Sequence, residues 1–190
     1  MDTKEKIYAA AVKIFAKEGF EKTTVDDIAA KSKLAKGTMY YYFKSKDEIF
    51  LEMIDSGISK FNAALEEGMK EAKAPKDKME KLLDIQLDYY EKYNDFYKVI
   101  FSEFWRLEPR WKKEIDKIRE GYFSMIKNII EEGKKTGSFN KNIDSSSAAI
   151  SIFSLFAFGA LGWIAFGKKI KRKEMHKALL TICYDGIGRK

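Results

Sequence analysis

The chain has a single cysteine, Cys183, and a single histidine, His176. The first excludes a disulfide within the chain and fits a reducing cytoplasm; the two together exclude zinc-ligand spacing, so no metal is expected. Proline occurs only at Pro75 and Pro109, and glutamine only at Gln86. No stretch reads as a convincing strand, and no glycine-rich phosphate loop, H-E-x-x-H, C-x-x-C or G-x-S-x-G motif is present. Adjacent carboxylates such as Asp26 and Asp27, or Glu131 and Glu132, point apart on a helix and form no acid–base couple. These absences argue against an enzyme, and no cofactor is expected. The start, MDTKEKIYAAAV, lacks the basic-then-apolar order of a signal peptide, so the protein is expected to stay in the cytoplasm.

What is present is helical periodicity over an ample apolar supply, 45% of the residues, and a formal net charge of +7. Residues 1–46 carry ten lysines against six acidic residues, an excess focused on about a quarter of the length. Such a focus favours a polyanionic partner. Ile7, Ala10, Ala11, Ile14 and Phe15 make one helical stripe that Gly19 ends, predicting a first helix over 3–18.

The segment from Thr24 to Lys46 is the most informative. Thr24 followed by Asp27 is a variant capping box, so a helix begins at Val25, with Ile28, Ala29 and Leu34 facing inward. Residues 32–35 are long enough to turn the chain steeply into a second helix, Lys36 to Tyr42, whose neighbour pair Met39 and Phe43 shares a buried face. Left outside are Lys36, Gly37, Thr38, Tyr40, Tyr41 and Tyr42: a cation, a bare backbone, a hydroxyl and phenols, which suit a DNA surface. Ser45 and Glu48 then form a capping box for a long helix from Lys46 to about residue 72.

Thr24, Ile28, Ala29, Gly37, Thr38, Met39, Tyr40, Tyr41 and Phe43, with Lys46 opening the next helix, resemble the DNA-binding region of the TetR family of bacterial regulators. Two residues depart from that pattern. Lys33 stands where the family usually has a turn glycine, and Tyr42 where it often has histidine. The resemblance covers about the first 50 residues. It implies an all-α protein of about nine helices, with a three-helix helix-turn-helix domain over 1–46 and a regulatory, ligand-binding and dimerisation domain over 47–190. It further implies a homodimer on a palindromic operator, most simply a repressor released by a hydrophobic or aromatic small molecule. DNA contacts are expected from Thr24, Lys36, Gly37, Thr38, Tyr40, Tyr41, Tyr42 and Lys46.

Downstream, the helix expected over 76–93 has the apolar stripe Met79, Leu82, Leu83, Tyr90 and Tyr93, with Gln86 in its midst. A lone amide there either bonds a neighbouring side chain or orients a ligand. Aromatic residues crowd the next segments, and they line either a core or an apolar cavity. With the resemblance, the candidate lining is Phe61, Gln86, Tyr90, Phe101, Phe104 and Trp105, joined by Tyr122, Met125, Ile126 and Phe153. Pro109 is expected to start a helix to about residue 135.

Residues 145–167 contain no charge, and window rules alone would make them a transmembrane helix. The alternative is a helix buried on both sides, against its own core and against a partner subunit. Beside a DNA reader the second reading is preferred, and no membrane is expected. With a last helix over 171–186 it predicts a four-helix dimer interface containing Ser151, Ser154, Leu155, Phe158, Gly162, Leu179, Ile182 and Cys183. The rival is a membrane-attached or protein-interacting helical module that binds no DNA.

Overall fold

A computed structural model of the protein describes residues 2–104, 112–165 and 171–187. These residues form nine helices: α1 (Thr3–Glu18), α2 (Val25–Ser32), α3 (Lys36–Tyr42), α4 (Lys46–Glu71), α5 (Pro75–Lys92), α6 (Asn94–Phe104), α7 (Lys112–Thr136), α8 (Ser145–Ala165) and α9 (Arg172–Ile187). The all-α architecture expected from periodicity is what is found. Pro75 begins α5, where its missing N–H is harmless. The start expected at Pro109 lies outside the described residues.

Two compact units divide the chain, one made of residues 1–60 and 93–116, the other of 61–92 and 117–190. In the first, α1 packs on α2 and α6. Its core joins Ile7, Ala11 and Phe15 of α1 to Ile28, Met39, Phe43, Ile49 and Phe50, all essentially inaccessible. Phe20 completes it, its ring centroid 5.3 Å from that of Phe15 and 4.9 Å from that of Phe50. Gly57 is required here by packing, because a Cβ on it would lie 2.2 Å from the Phe96 ring. The Glu52 carboxylate accepts from Lys4 Nζ at 2.6 Å and from the Tyr8 hydroxyl at 2.8 Å, tying α1 to α4. Partial burial pushes this carboxyl up, but the two hydrogen bonds and the Lys4 charge outweigh it, and the net shift is downward.

In the second unit α8 packs on α9, and α5 packs on both. Gly159 lets α8 approach α9 closely, since a Cβ there would stand 2.7 Å from Leu179. Arg172 of α9 reaches α5, donating to Asp88 at 2.6 Å and Asp84 at 3.1 Å. The buried face of α5 is Met79, Leu82, Leu83, Gln86, Leu87 and Tyr90. It differs from the expected stripe at two positions: Leu87 is buried as well, and Tyr93 is exposed, because α5 ends at Lys92 and the chain turns there into α6. No helix among the described residues is long and apolar enough to cross a membrane. Instead α8 turns Ala148, Ala149, Ile152, Phe156 and Ala157 into its own unit.

Candidate functional site

The helix-turn-helix is built as its caps dictate. Asp27 N–H donates to Thr24 Oγ1 at 3.2 Å while Thr24 N–H donates to the Asp27 carboxylate at 2.8 Å, the reciprocal box that starts α2. Lys33, the C-cap, has φ 58°, a left-handed conformation that a glycine would adopt without steric cost. Its N–H reaches back to the carbonyls of Ala29 and Ala30, so α2 stops cleanly and α3 can begin at a new angle. Met39 and Phe43 anchor α3 in the core as expected.

That anchoring leaves the opposite face of α3 in solvent. Tyr41 is 83% and Tyr40 55% exposed, and Lys36 and Gly37 are also exposed. Thr38 and Tyr42 are half-buried, Tyr42 edge-on to Tyr41. A Cβ at Gly37 would meet nothing within 4 Å, so nothing in the described chain demands glycine there. Lys36 Nζ is paired with the Asp26 carboxylate at 2.5 Å, a partner that the sequence reading did not anticipate. Lys46 Nζ is turned inward, donating to the carbonyls of Phe20 at 2.7 Å and Glu21 at 3.2 Å.

The hydrogen bonds from Thr24 hold the Asp27 carboxyl below its ordinary value of 3.8. Because its folded value is depressed, the cap contributes stability above pH 3.8, and that contribution is lost as pH falls through the lower folded value. Thr24→Ala is expected to reduce stability by about 1 kcal/mol. In an acid titration followed by NMR it should return the Asp27 carboxyl toward 3.8.

In the second unit the expected lining residues gather around the lone glutamine. Gln86, 3% exposed, receives the Tyr122 hydroxyl at its amide oxygen and donates to the Tyr90 hydroxyl at 3.4 Å. Phe61 and Phe153 lie against Tyr122, with ring centroids 5.7 Å and 5.5 Å away. Ile126 is buried and Met125 half-buried on the same helix as Tyr122. Phe101 belongs to the other compact unit; the Phe104 side chain and Trp105 lie outside the described residues.

Of the expected dimer residues, Phe158 and Ile182 are strongly exposed and Ser151 is open to solvent, while Ser154, Leu155 and Gly162 are half-buried. Leu179 and Cys183 are buried within the chain, and burial pushes the Cys183 thiol up to about 12. Ile150, 55% exposed, shares this face and was missed, although its spacing of four from Ser154 and eight from Phe158 marks it. A groove of about 450 Å³ opens there, lined by Ile143, Ser147, Ser151, Leu155 and Ile182 among others.

Known proteins agree with this geometry. The family profile described as "Bacterial regulatory proteins, tetR family" matches residues 7–53, and "Tetracyclin repressor-like, C-terminal domain" matches residues 72–165. The chain belongs to the TetR family. A solved Clostridium perfringens protein described as a fatty acid metabolism regulator is 30% identical, with 97% of this chain and 100% of that one covered at a TM-score of 0.85. The Bacillus subtilis fatty acid metabolism regulator protein is 24% identical over 184 residues, 97% of this chain and 95% of the relative. The fold is shared with Bacillus subtilis FadR solved in complex with stearoyl-CoA, 24% identical with a TM-score of 0.88, covering 96% of this chain and 98% of that one. As a TetR-family member the chain is a ligand-responsive, DNA-binding transcriptional regulator.

Proposed function

We propose that this TetR-family regulator is a homodimeric repressor that places α3 of each protomer in successive major grooves of a palindromic operator. The single observation that carries the reading is the exposed face of α3, above all Tyr41, standing out from a helix whose other face is locked by Met39 and Phe43. Thr24, Lys36, Thr38, Tyr40, Tyr41 and Tyr42 make the phosphate and base-edge contacts, and Gly37 lets the backbone come close to DNA. The functional division places the reader in residues 1–46 and the regulatory part in 47–190. Such a regulator works in the cytoplasm, where the chromosome is.

The effector is a long-chain acyl compound. Two relatives are named for fatty acid metabolism, and Gln86 with the hydroxyls of Tyr90 and Tyr122 offers a small buried polar cluster beside the rings of Phe61 and Phe153, which suit an apolar chain. The outer face of α8 and α9, with Ile150, Phe158 and Ile182, supplies the dimer contact.

Gly37→Ala separates fold from function. The added methyl meets open space, so α3 should gain up to about 1 kcal/mol of helix propensity while operator affinity falls. Thermal unfolding and mobility shifts on fragments flanking the gene measure both. A more stable variant with undiminished affinity would remove Gly37 from the interface. Wild-type protein that shows no salt-dependent shift would overturn the DNA-reading function. Adding stearoyl-CoA should release the bound fragment; persistence of the complex would exclude an acyl effector.

A further inference from the structure

Lys46 is the first residue of α4. Resemblance alone would aim its ammonium at a phosphate, but its geometry describes a different task. Nζ lies 2.7 Å from the Phe20 carbonyl, 3.2 Å from the Glu21 carbonyl and 4.3 Å from the centroid of the Phe20 ring. A lysine ammonium has three donors, and two of these are directed at backbone oxygens. The ring beneath it is held in turn by Phe15 and Phe50. The Phe20 carbonyl also accepts from Thr23 N–H at 3.3 Å, and Thr23 Oγ1 donates to Gly19 at 2.8 Å. Residues 19–23 are therefore a short loop closed on itself and fastened to α4 by the Lys46 ammonium and by the Phe20 ring against Phe50. Its last bond in sequence precedes Thr24, the N-cap of α2.

We propose that Lys46 is a positioning residue for operator binding: it acts through the loop 19–23 to set the N-terminus of α2 against DNA, and does not itself neutralise a phosphate. This rests on the DNA-reading function proposed above. The first amides of α2, at Val25 and Asp26, precede the first N–H that bonds within the helix, that of Ile28 to the Thr24 carbonyl, and stand at its positive end. Their distance from a phosphate is fixed by where Thr24 sits, and Thr24 follows the loop. Because both fastenings lie within the first five residues of α4, and the Lys46 bonds at its very first, displacement of this end of α4 carries the start of α2 with it. Release of operator by an effector would then include withdrawal of α2 as well as of α3.

Ionic strength distinguishes positioning from contact. Each lysine–phosphate contact contributes about 0.9 to the slope of log affinity against log salt. Operator affinity is measured between about 50 and 200 mM salt for the wild type, Lys46→Met and Lys46→Gln. Methionine keeps the stem without donor or charge; glutamine keeps a donor without the charge. Positioning predicts that Lys46→Met binds about tenfold more weakly with an unchanged slope, while Lys46→Gln recovers part of the loss. It also predicts faster amide hydrogen exchange in Lys46→Met at Asp27 and Ile28, whose N–H groups donate to the Thr24 hydroxyl and carbonyl, with no change in α5 or α7. A slope shallower by about 0.9 per half-site in both variants identifies a phosphate contact and overturns the proposal. Wild-type affinity in Lys46→Met overturns it as well. Loss of the folded state in both variants would make Lys46 a support of the whole domain and count equally against it. Absence of salt-dependent binding by the wild type would instead fail the DNA-reading function, and the proposal with it.

Discussion

Ile182→Lys should give a folded monomer whose operator affinity is lower by roughly a hundredfold or more. Ile182 is 57% exposed on α9, so the new ammonium can remain in water in a single protomer and the helical content should not change. In the proposed dimer the same residue would meet its mate or the apolar face formed by Ile150, Leu155 and Phe158, where an unpaired cation is strongly disfavoured. One reading head on half an operator loses the effective concentration that a second, linked head provides. Sedimentation equilibrium, far-UV circular dichroism and mobility shifts together test this outcome. A variant that stays dimeric with wild-type affinity would show that the α8–α9 face is not the interface. Phe156→Lys is the contrasting control. Phe156 is 0% exposed within its own unit, so a charge there should unfold the protomer and leave nothing to assay.

The second large effect concerns the buried amide. Tyr122→Phe removes the hydroxyl that donates to Gln86 and leaves a carbonyl oxygen unsatisfied in a site 3% accessible to water. Such a loss destabilises by about 1–3 kcal/mol. For a chain of this length that lowers the melting temperature by about 2–4 °C for each kcal/mol. Adding Gln86→Leu to Tyr122→Phe takes away the stranded oxygen and should recover much of the loss, because exchanging both partners for apolar groups leaves little unpaired. The double variant should still hold its operator but respond poorly to stearoyl-CoA, since the polar anchor is gone. Equal melting temperatures for wild type and Tyr122→Phe would mean that the hydroxyl contributes nothing to the fold. Normal release of operator by the double variant would take Gln86 out of effector recognition.

The reading head was legible because its signals are local. Capping boxes act over three residues, and Thr24–Asp27 and Ser45–Glu48 set helix starts at Val25 and Lys46. The spacing of Met39 and Phe43 told which side of α3 was free. The left-handed Lys33 was likewise visible, since a position calling for glycine was filled by lysine. Elsewhere the local signal misled or fell short. Tyr93 continues the α5 stripe by spacing alone, yet the helix has ended one residue earlier. Leu87, at 0% exposure, was not on the expected stripe, because which edge of an apolar face is covered depends on helices far away in the chain.

The sequence by itself determined the all-helical architecture, the helix-turn-helix and its exposed tyrosines, and the presence of one amide on an inward face. Each follows from periodicity or from hydrogen bonds between residues a few positions apart. Only the tertiary structure decided what the polar groups do. Gln86 meets Tyr122 across 36 positions, Lys46 meets Phe20 across 26, and Lys36 meets Asp26 across ten. No helical period connects such residues; their partners are set by how α7 lies on α5, and how α4 and α3 lie beside the start of α2. The same reason separates the two faces of α8. Its charge-free sequence is equally apolar all round, and only packing against α5 and α9 leaves Ile150 and Phe158 outside.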